Sequence, residues 1–198
     1  MSIPRVHVIT NDHVLASPDF NSKLSDLSTL AGIAIQIRAA STPAARVLSI
    51  VESVLSGQAS VYVNDRIDIA LAAGAGGLHL PRAGLPTGAA RKLVGSSFAI
   101  GRSTHSPAAA RDALRDGADY VFLGSIWETE THPGQATLGE EPLQELAGLP
   151  VIAIGGVDAA RAARCAALGA YGVAAISRVW RDADPCRVVT EMLVSFEQ

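Results

Sequence analysis

Aromatic residues make up only 5% of the 198-residue chain, too few for a platform on which unpaired bases could stack. Lysine and arginine never gather into a run and the formal net charge is −3. The counterion-displacing surface that nucleic acid needs is therefore not expected. No segment approaches the roughly 20 apolar residues of a membrane helix, so no membrane partner is expected. Cysteine is scarce: Cys165 and Cys186 stand alone, without ligand spacing and without the numbers for a disulfide framework. The stretch from Met1 to Ile9 carries Pro4, Arg5 and His7 and lacks the long apolar centre of a secretory signal. No His or carboxylate pair has metal-ligand spacing, and neither a serine nucleophile elbow nor a P-loop lysine occurs. These absences leave a cytoplasmic globular protein with no metal and no cofactor as the expectation.

What is present is apolar: 48% of residues are hydrophobic and 18% charged, enough to bury one domain, residues 1–198, and too little for two. Short β-branched runs recur at Val6–Thr10, Ile33–Arg38, Ser60–Val63 and Gly77–Leu80, and again at Phe98–Gly101, Tyr120–Gly124, Val151–Ile154 and Gly172–Ile176. Most are apolar throughout rather than alternating, as strands buried on both faces of a parallel sheet are. Between them lie stretches with helical spacing, such as Pro43–Leu55, Asp65–Ala73, Pro107–Asp116, Ala159–Leu168 and Cys186–Phe196. Ser106 before Pro107, and Asp158 before an alanine-rich run, read as helix starts. Gly74, Gly117 and Gly169 read as helix ends. Eight strands alternating with helices predict a lean α/β fold, a single-domain (β/α)8 TIM barrel. A doubly wound open sheet is the alternative.

Several positions carry candidate chemistry. Gly155-Gly156 follows the seventh run and Ile176-Ser177 ends the eighth. In such barrels the loops after strands seven and eight commonly bind phosphate through backbone N–H groups; the competing reading is a plain tight turn. Gln36 and Arg38 share one face at the end of the second run, where a charged arginine after isoleucines calls for an anionic partner or solvent. Asn64 and Asp65 end the third run, with an ordinary helix cap as the rival explanation. Ser103 follows the fifth. The polar stretch Ser125–Glu140, with Thr129, Thr131 and His132, is the longest predicted loop and is expected at the active site. His7 reads as a strand residue and His79 as a hydrogen-bonded core residue.

Taken in order, these segments resemble a known family. Val8-Ile9-Thr10-Asn11-Asp12, Gln36-Ile37-Arg38, Val63-Asn64-Asp65-Arg66, Leu78-His79-Leu80-Pro81 and Gly101-Arg102-Ser103 carry the first half of the likeness. Tyr120-Val121-Phe122-Leu123-Gly124, Trp127-Glu128-Thr129, Ile154-Gly155-Gly156 and Ala175-Ile176-Ser177 carry the second. The chain is similar over nearly its whole length to the thiamine phosphate synthase superfamily and, within it, to the TenI-like thiazole tautomerases. The resemblance implies a barrel, often a homodimer, that binds a thiazole phosphate at its C-terminal face.

Departures from the synthase pattern guide the finer expectation. Ala40 stands where the resemblance implies a pyrophosphate-binding lysine, Gly84 where it implies a magnesium-binding aspartate, and His132 where it implies a second lysine. Each loss removes charge that a Mg²⁺–pyrophosphate leaving group needs. The expectation is thus a tautomerase that moves a proton without a metal. Gly155, Gly156, Ile176 and Ser177 would hold the phosphate, and Arg38 a ring carboxylate. Gln36, Asn64, Asp65, Ser103, Thr129 and Thr131 would bind the remainder of the substrate. Ser125 occupies the place of the histidine that the resemblance implies as catalyst, so the imidazole would come from His132 or His79. A divergent synthase joining the thiazole phosphate to a pyrimidine pyrophosphate is the alternative, and a non-catalytic thiazole-phosphate-binding regulator a further one.

Overall fold

A computed structural model describes residues 2–129, 134 and 136–197. Its strands are β1 (Val6–Ile9), β2 (Ile33–Ile37), β3 (Ser60–Asn64), β4 (Gly77–Leu80), β5 (Ala99–Thr104), β6 (Tyr120–Leu123), β7 (Val151–Ile154) and β8 (Gly172–Ala175). The helices up to β5 are α1 (Asp12–Leu15), α2 (Phe20–Ser28), α3 (Ala44–Leu55), α4 (Ile67–Ala73) and α5 (Thr87–Val94). Those after it are α6 (Pro107–Arg115), α7 (Glu141–Glu145), α8 (Ala159–Ala167), α9 (Ser177–Trp180) and α10 (Pro185–Val194). Every strand pairs in parallel with the next and β8 returns to β1, giving a closed eight-stranded barrel. Closure excludes the open doubly wound sheet. No helix of the described residues is long and apolar enough to cross a membrane.

The helix signals act as their chemistry requires. The Ser106 hydroxyl accepts from the Ala109 N–H and the Asp158 carboxylate from the Arg161 N–H, each satisfying an orphan donor of the first turn. Gly74 closes α4 in the left-handed region, where a side chain would be strained. At the 64–66 turn the cap reading fails: Arg66 holds the N-cap position without a side-chain cap, and its guanidinium is forked onto the exposed Asp68. Asp65 instead turns the chain at φ 65°, the one non-glycine residue at positive φ among those described.

The barrel interior is filled by side chains rather than hollow. Tyr62, Tyr120, Phe122, Ile9 and Ile152 fill it together with His7 and His79, all buried. In a ring this small, aromatic bulk must be met by a gap. Register places Gly77 beside Tyr62 and Gly101 beside Tyr120. A Cβ on Gly77 would come within 2.5 Å of Tyr62 Cδ1, and one on Gly101 within 2.5 Å of Tyr120 Cε2 and Oη. A second apolar layer lies between strands and helices, including Ile33, Ile35, Val51, Val54, Leu78 and Val173.

The seam between β1 and β8 is tied by residues far apart in sequence. Arg5 donates from Nη1 to the Tyr171 carbonyl at 2.8 Å, and its guanidinium lies 3.8 Å above the Tyr171 ring. At the other end of the strand, Trp180 Nε1 donates to the Ile9 carbonyl at 2.8 Å.

Candidate functional site

A cavity of about 670 Å³ opens at the C-terminal ends of the strands, the end where barrels of this kind carry their ligands. From β2 and β3 it receives Gln36, Arg38 and Asn64; from β4 and β5 it receives His79 and Ser103. The β6 side contributes Ser125 and Thr129, β7 Gly155 and Gly156, and β8 Ile176 and Ser177. Asp65 is not in the lining, because its positive φ turns it onto the exposed surface beside Gly84. Thr131 and His132 lie outside the described residues.

The β2–β3 wall is polar and only partly satisfied. Gln36, buried, donates from Nε2 to Asn64 Oδ1 at 3.3 Å, while its Oε1 has no partner among the described residues. A buried acceptor left unpaired is costly unless a ligand or water donates to it. Arg38 is exposed at the rim. Its backbone is fixed by exchange with Thr10, whose hydroxyl donates to the Arg38 carbonyl and accepts from the Arg38 N–H. The following turn is anchored by Asp12, whose carboxylate accepts from the Ala40, Ser41 and Thr42 N–H groups and the Thr42 hydroxyl. Burial works to raise the Asp12 carboxyl, but these donors outweigh it and hold it down at about 2.

His79 lies under the cavity floor. Its Nε2 is 2.8 Å from Ser103 Oγ and its Nδ1 is 3.2 Å from the Tyr120 hydroxyl, so both ring nitrogens are engaged. Burial, and then the neighbouring His7 and Arg102, push it well below the usual histidine range. Deeper still, His7 packs among Tyr62, Tyr120 and Phe122, with ring centroids 5.1 to 5.3 Å away. Its ring nitrogens make no hydrogen bond of good geometry among the described residues, although the Pro4 carbonyl acts on the ring. Burial outweighs the opposing pull of the Pro4 carbonyl and drives His7 down to about 3. Both imidazoles are therefore neutral at physiological pH.

On the β7 side, Gly155 and Gly156 take φ of 102° and 69°. Their lack of side chains is demanded first by the β6 loop. A Cβ on Gly155 would stand 2.6 Å from Ser125 Cβ, and one on Gly156 2.6 Å from the Glu128 carbonyl. The loop is sewn down by the Ile126 and Trp127 N–H groups, which donate to the Ile154 and Gly155 carbonyls. Among the described residues neither glycine's own N–H has a protein acceptor. Successive free N–H groups in positive-φ backbone form a concavity suited to an anion. The Ser125 hydroxyl makes no hydrogen bond among the described residues, and the nearby His105 ring is turned to the Gly124 carbonyl.

Sequence reasoning missed much of the charge around this cavity. Arg82, Arg161, Arg178 and Arg181 also line it, with Glu128, Asp158 and Asp182. Arg161 donates to the Gly156 carbonyl and lies 5.1 Å from the Trp127 ring centroid. Asp182 pairs with Arg178 and Arg187. Their common signal is position: like Arg38, each follows the C-terminal end of a strand. No group of three or more His, Cys, Asp or Glu able to hold a metal ion occurs among the described residues.

Comparison with known proteins gives a consistent result. The family model described as thiamine monophosphate synthase matches residues 6–179. A thiamine-phosphate synthase of Methanoculleus marisnigri is 38% identical over 188 residues, spanning 90% of this chain and 89% of that protein. One of Gloeobacter violaceus is 34% identical over 98% of this chain, which spans only 58% of the length of that relative. Among solved structures, thiamine phosphate pyrophosphorylase from Pyrococcus furiosus superposes with TM-score 0.82 at 29% identity, covering 98% of this chain and 95% of that one. The expected tautomerase is thereby overturned: the relatives are named as synthases. Among the described candidates, His79 is engaged at both ring nitrogens and the Ser125 hydroxyl has no hydrogen-bond partner; His132 lies outside the described residues.

Proposed function

The chain belongs to the thiamine monophosphate synthase family, and from that premise we propose that it joins a thiazole phosphate to a pyrimidine pyrophosphate. In this reaction the lone pair of the thiazole ring nitrogen forms a C–N bond to the methylene carbon borne by the pyrimidine. The C–O bond to pyrophosphate breaks, and its electron pair leaves on the pyrophosphate oxygen. No proton moves at the reacting atoms. Such a step needs no proton shuttle and asks for alignment of two substrates and stabilisation of leaving charge.

The observation that supports the reading is one cavity with two separate groups of donors suited to anions. The Gly155 and Gly156 N–H groups form one, beside Ile176 and Ser177, and would take the phosphate of the thiazole. Arg38 stands at the other, where its planar fork fits phosphate oxygens. Between them the unpaired Gln36 Oε1, with Asn64, would accept from a donor on the pyrimidine. Ser103 and Thr129 would close the sides. The resemblance also implies a divalent cation beside the pyrophosphate. The donor set does not fit one: Gly84 stands against the Asp65 carboxylate where a second carboxylate would be needed. No step is assigned to a metal.

The test is direct. Purified protein supplied with both substrates should release pyrophosphate and form thiamine phosphate in equal amounts. Binding of thiazole phosphate with no coupled product, over a range of pyrimidine pyrophosphate concentrations, would overturn the reading.

A further inference from the structure

We propose that the guanidinium of Arg82, held at the cavity by Arg102, carries the leaving-group charge that a divalent cation would otherwise carry; the inference rests on the synthase reading above. A magnesium-like cation takes hard oxygen ligands, commonly one or two carboxylates besides the phosphate oxygens. Asp65 offers one carboxylate. Opposite it, a Cβ on Gly84 would stand 3.0 Å from Asp65 Oδ1 and 2.8 Å from Pro81 Cδ. The Pro81 ring therefore fills the space through which a second acidic side chain would have to enter. Of the other acids that line the cavity among the described residues, two are committed elsewhere and the third belongs to another loop. Asp158 caps α8, Asp182 is paired with Arg178 and Arg187, and Glu128 lies on the β6 loop.

The same β4–α5 loop that lacks a carboxylate brings a cation. Arg82 follows Pro81, lines the cavity and is exposed, and among the described residues its guanidinium has no carboxylate partner. Its backbone is not loose. Arg102, projecting from β5, donates from Nη1 to the Leu85 carbonyl at 2.5 Å and from Nη2 to the Arg82 carbonyl at 2.9 Å. One guanidinium thus clamps both ends of the short segment that presents the other. An arginine without a carboxylate partner on a fixed backbone offers two parallel N–H donors matched to phosphate oxygens. Arg82 is then a charge-bearing residue of the pyrophosphate end of the cavity, and Arg102 a positioning residue that acts through it.

The experiment is calorimetric titration of the whole protein with inorganic pyrophosphate, in EDTA and again in millimolar Mg²⁺. Binding in EDTA that is not tightened by Mg²⁺, and that weakens at least about tenfold in Arg82→Gln but less in Arg82→Lys, supports the proposal. Arg102→Met should weaken binding in the parent and add nothing in the Arg82→Gln background, a non-additivity that general loosening of the fold would not produce. Binding that appears only with Mg²⁺ overturns the inference and leaves the synthase reading standing. Binding in EDTA that ignores Arg82→Gln overturns the assignment of Arg82. No pyrophosphate binding in either buffer overturns the inference and the synthase reading together.

Discussion

Replacing Gly101 by alanine adds a single methyl group to the barrel wall, and two physical effects oppose each other there. Gly101 sits in extended strand backbone, so restricting the unfolded chain should favour the alanine variant by about 0.4–1 kcal/mol. The native structure opposes it. The new Cβ would overlap Tyr120 Cζ and come within 2.5 Å of Cε2 and Oη. Tyr120 has nowhere to retreat: its ring is fenced by His7, Tyr62, His79 and Phe122, with centroids 5.1 to 5.8 Å away. Overpacking of a filled core costs about 1–3 kcal/mol, and the enclosed ring places this site at the upper end. The net expectation is a loss of about 2 kcal/mol, which for a domain of this size is a fall of about 4–8 °C in Tm. Thermal and urea unfolding of Gly101→Ala, Tyr120→Leu and the double variant would measure it. In the double variant the methyl group has room and only the unfolded-state gain remains, so the cycle should return a coupling of about 3 kcal/mol, the full overpacking term. A Gly101→Ala protein as stable as the parent, or more stable, would refute the claim that this barrel is filled by tyrosine against glycine.

Three further outcomes are expected. His7 and His79 both fold with lowered pKa values, so below about pH 6.5 the unfolded chain binds protons that the folded chain refuses. Stability is then complete above pH 6.5 and falls by about 1.4 kcal/mol per pH unit per histidine as pH drops; urea midpoints from pH 8 to pH 5 should show this. His7→Phe should roughly halve the slope with little loss at pH 8, because the replaced nitrogens make no hydrogen bond of good geometry among the described residues. Asp12→Ala should release the Ala40–Thr42 turn, read as at least about tenfold faster amide exchange there together with a lower Tm at pH 7. The parent's Asp12 contribution, present above about pH 3.8, is lost as pH falls toward 2. Gly156→Ala meets φ of 69° and a Cβ 2.6 Å from the Glu128 carbonyl; it should lower Tm by a few degrees and thiazole phosphate affinity by at least tenfold.

The fold was legible because each level of the sequence agreed with the next. Strands buried on both faces read as continuous apolar runs, and the Ser106, Asp158 and Gly74 signals fell where helices begin and end. The short or polar helices α1, α5 and α9 were not legible, since four to eight residues give periodicity little to work on. At the cavity, Gln36, Asn64, Ser103 and Gly155 could be named from their strand-end positions. Asp65 could not be placed correctly, because favouring a helix cap and tolerating positive φ are properties of the same residue type. The arginines at 82, 161, 178 and 181 do not stand out because surface arginine is common, and only closure of the ring reveals that the segments after β4, β7 and β8 bring them to one space. The choice of reaction failed for a different reason. Missing lysines were weighed as missing charge, whereas charge can be supplied from any loop on the rim.

The bond between Arg5 and Tyr171 spans 166 positions of the chain, and β1 has no second neighbour until β8 exists. During synthesis the first strand therefore waits, one edge bare, while nearly every other part of the protein is made. An unsatisfied strand edge is an invitation to pair with the wrong partner. His7 and Arg5 within and beside that short strand make it a poor template for such pairing, so the groups that lock the finished ring also guard the unfinished one.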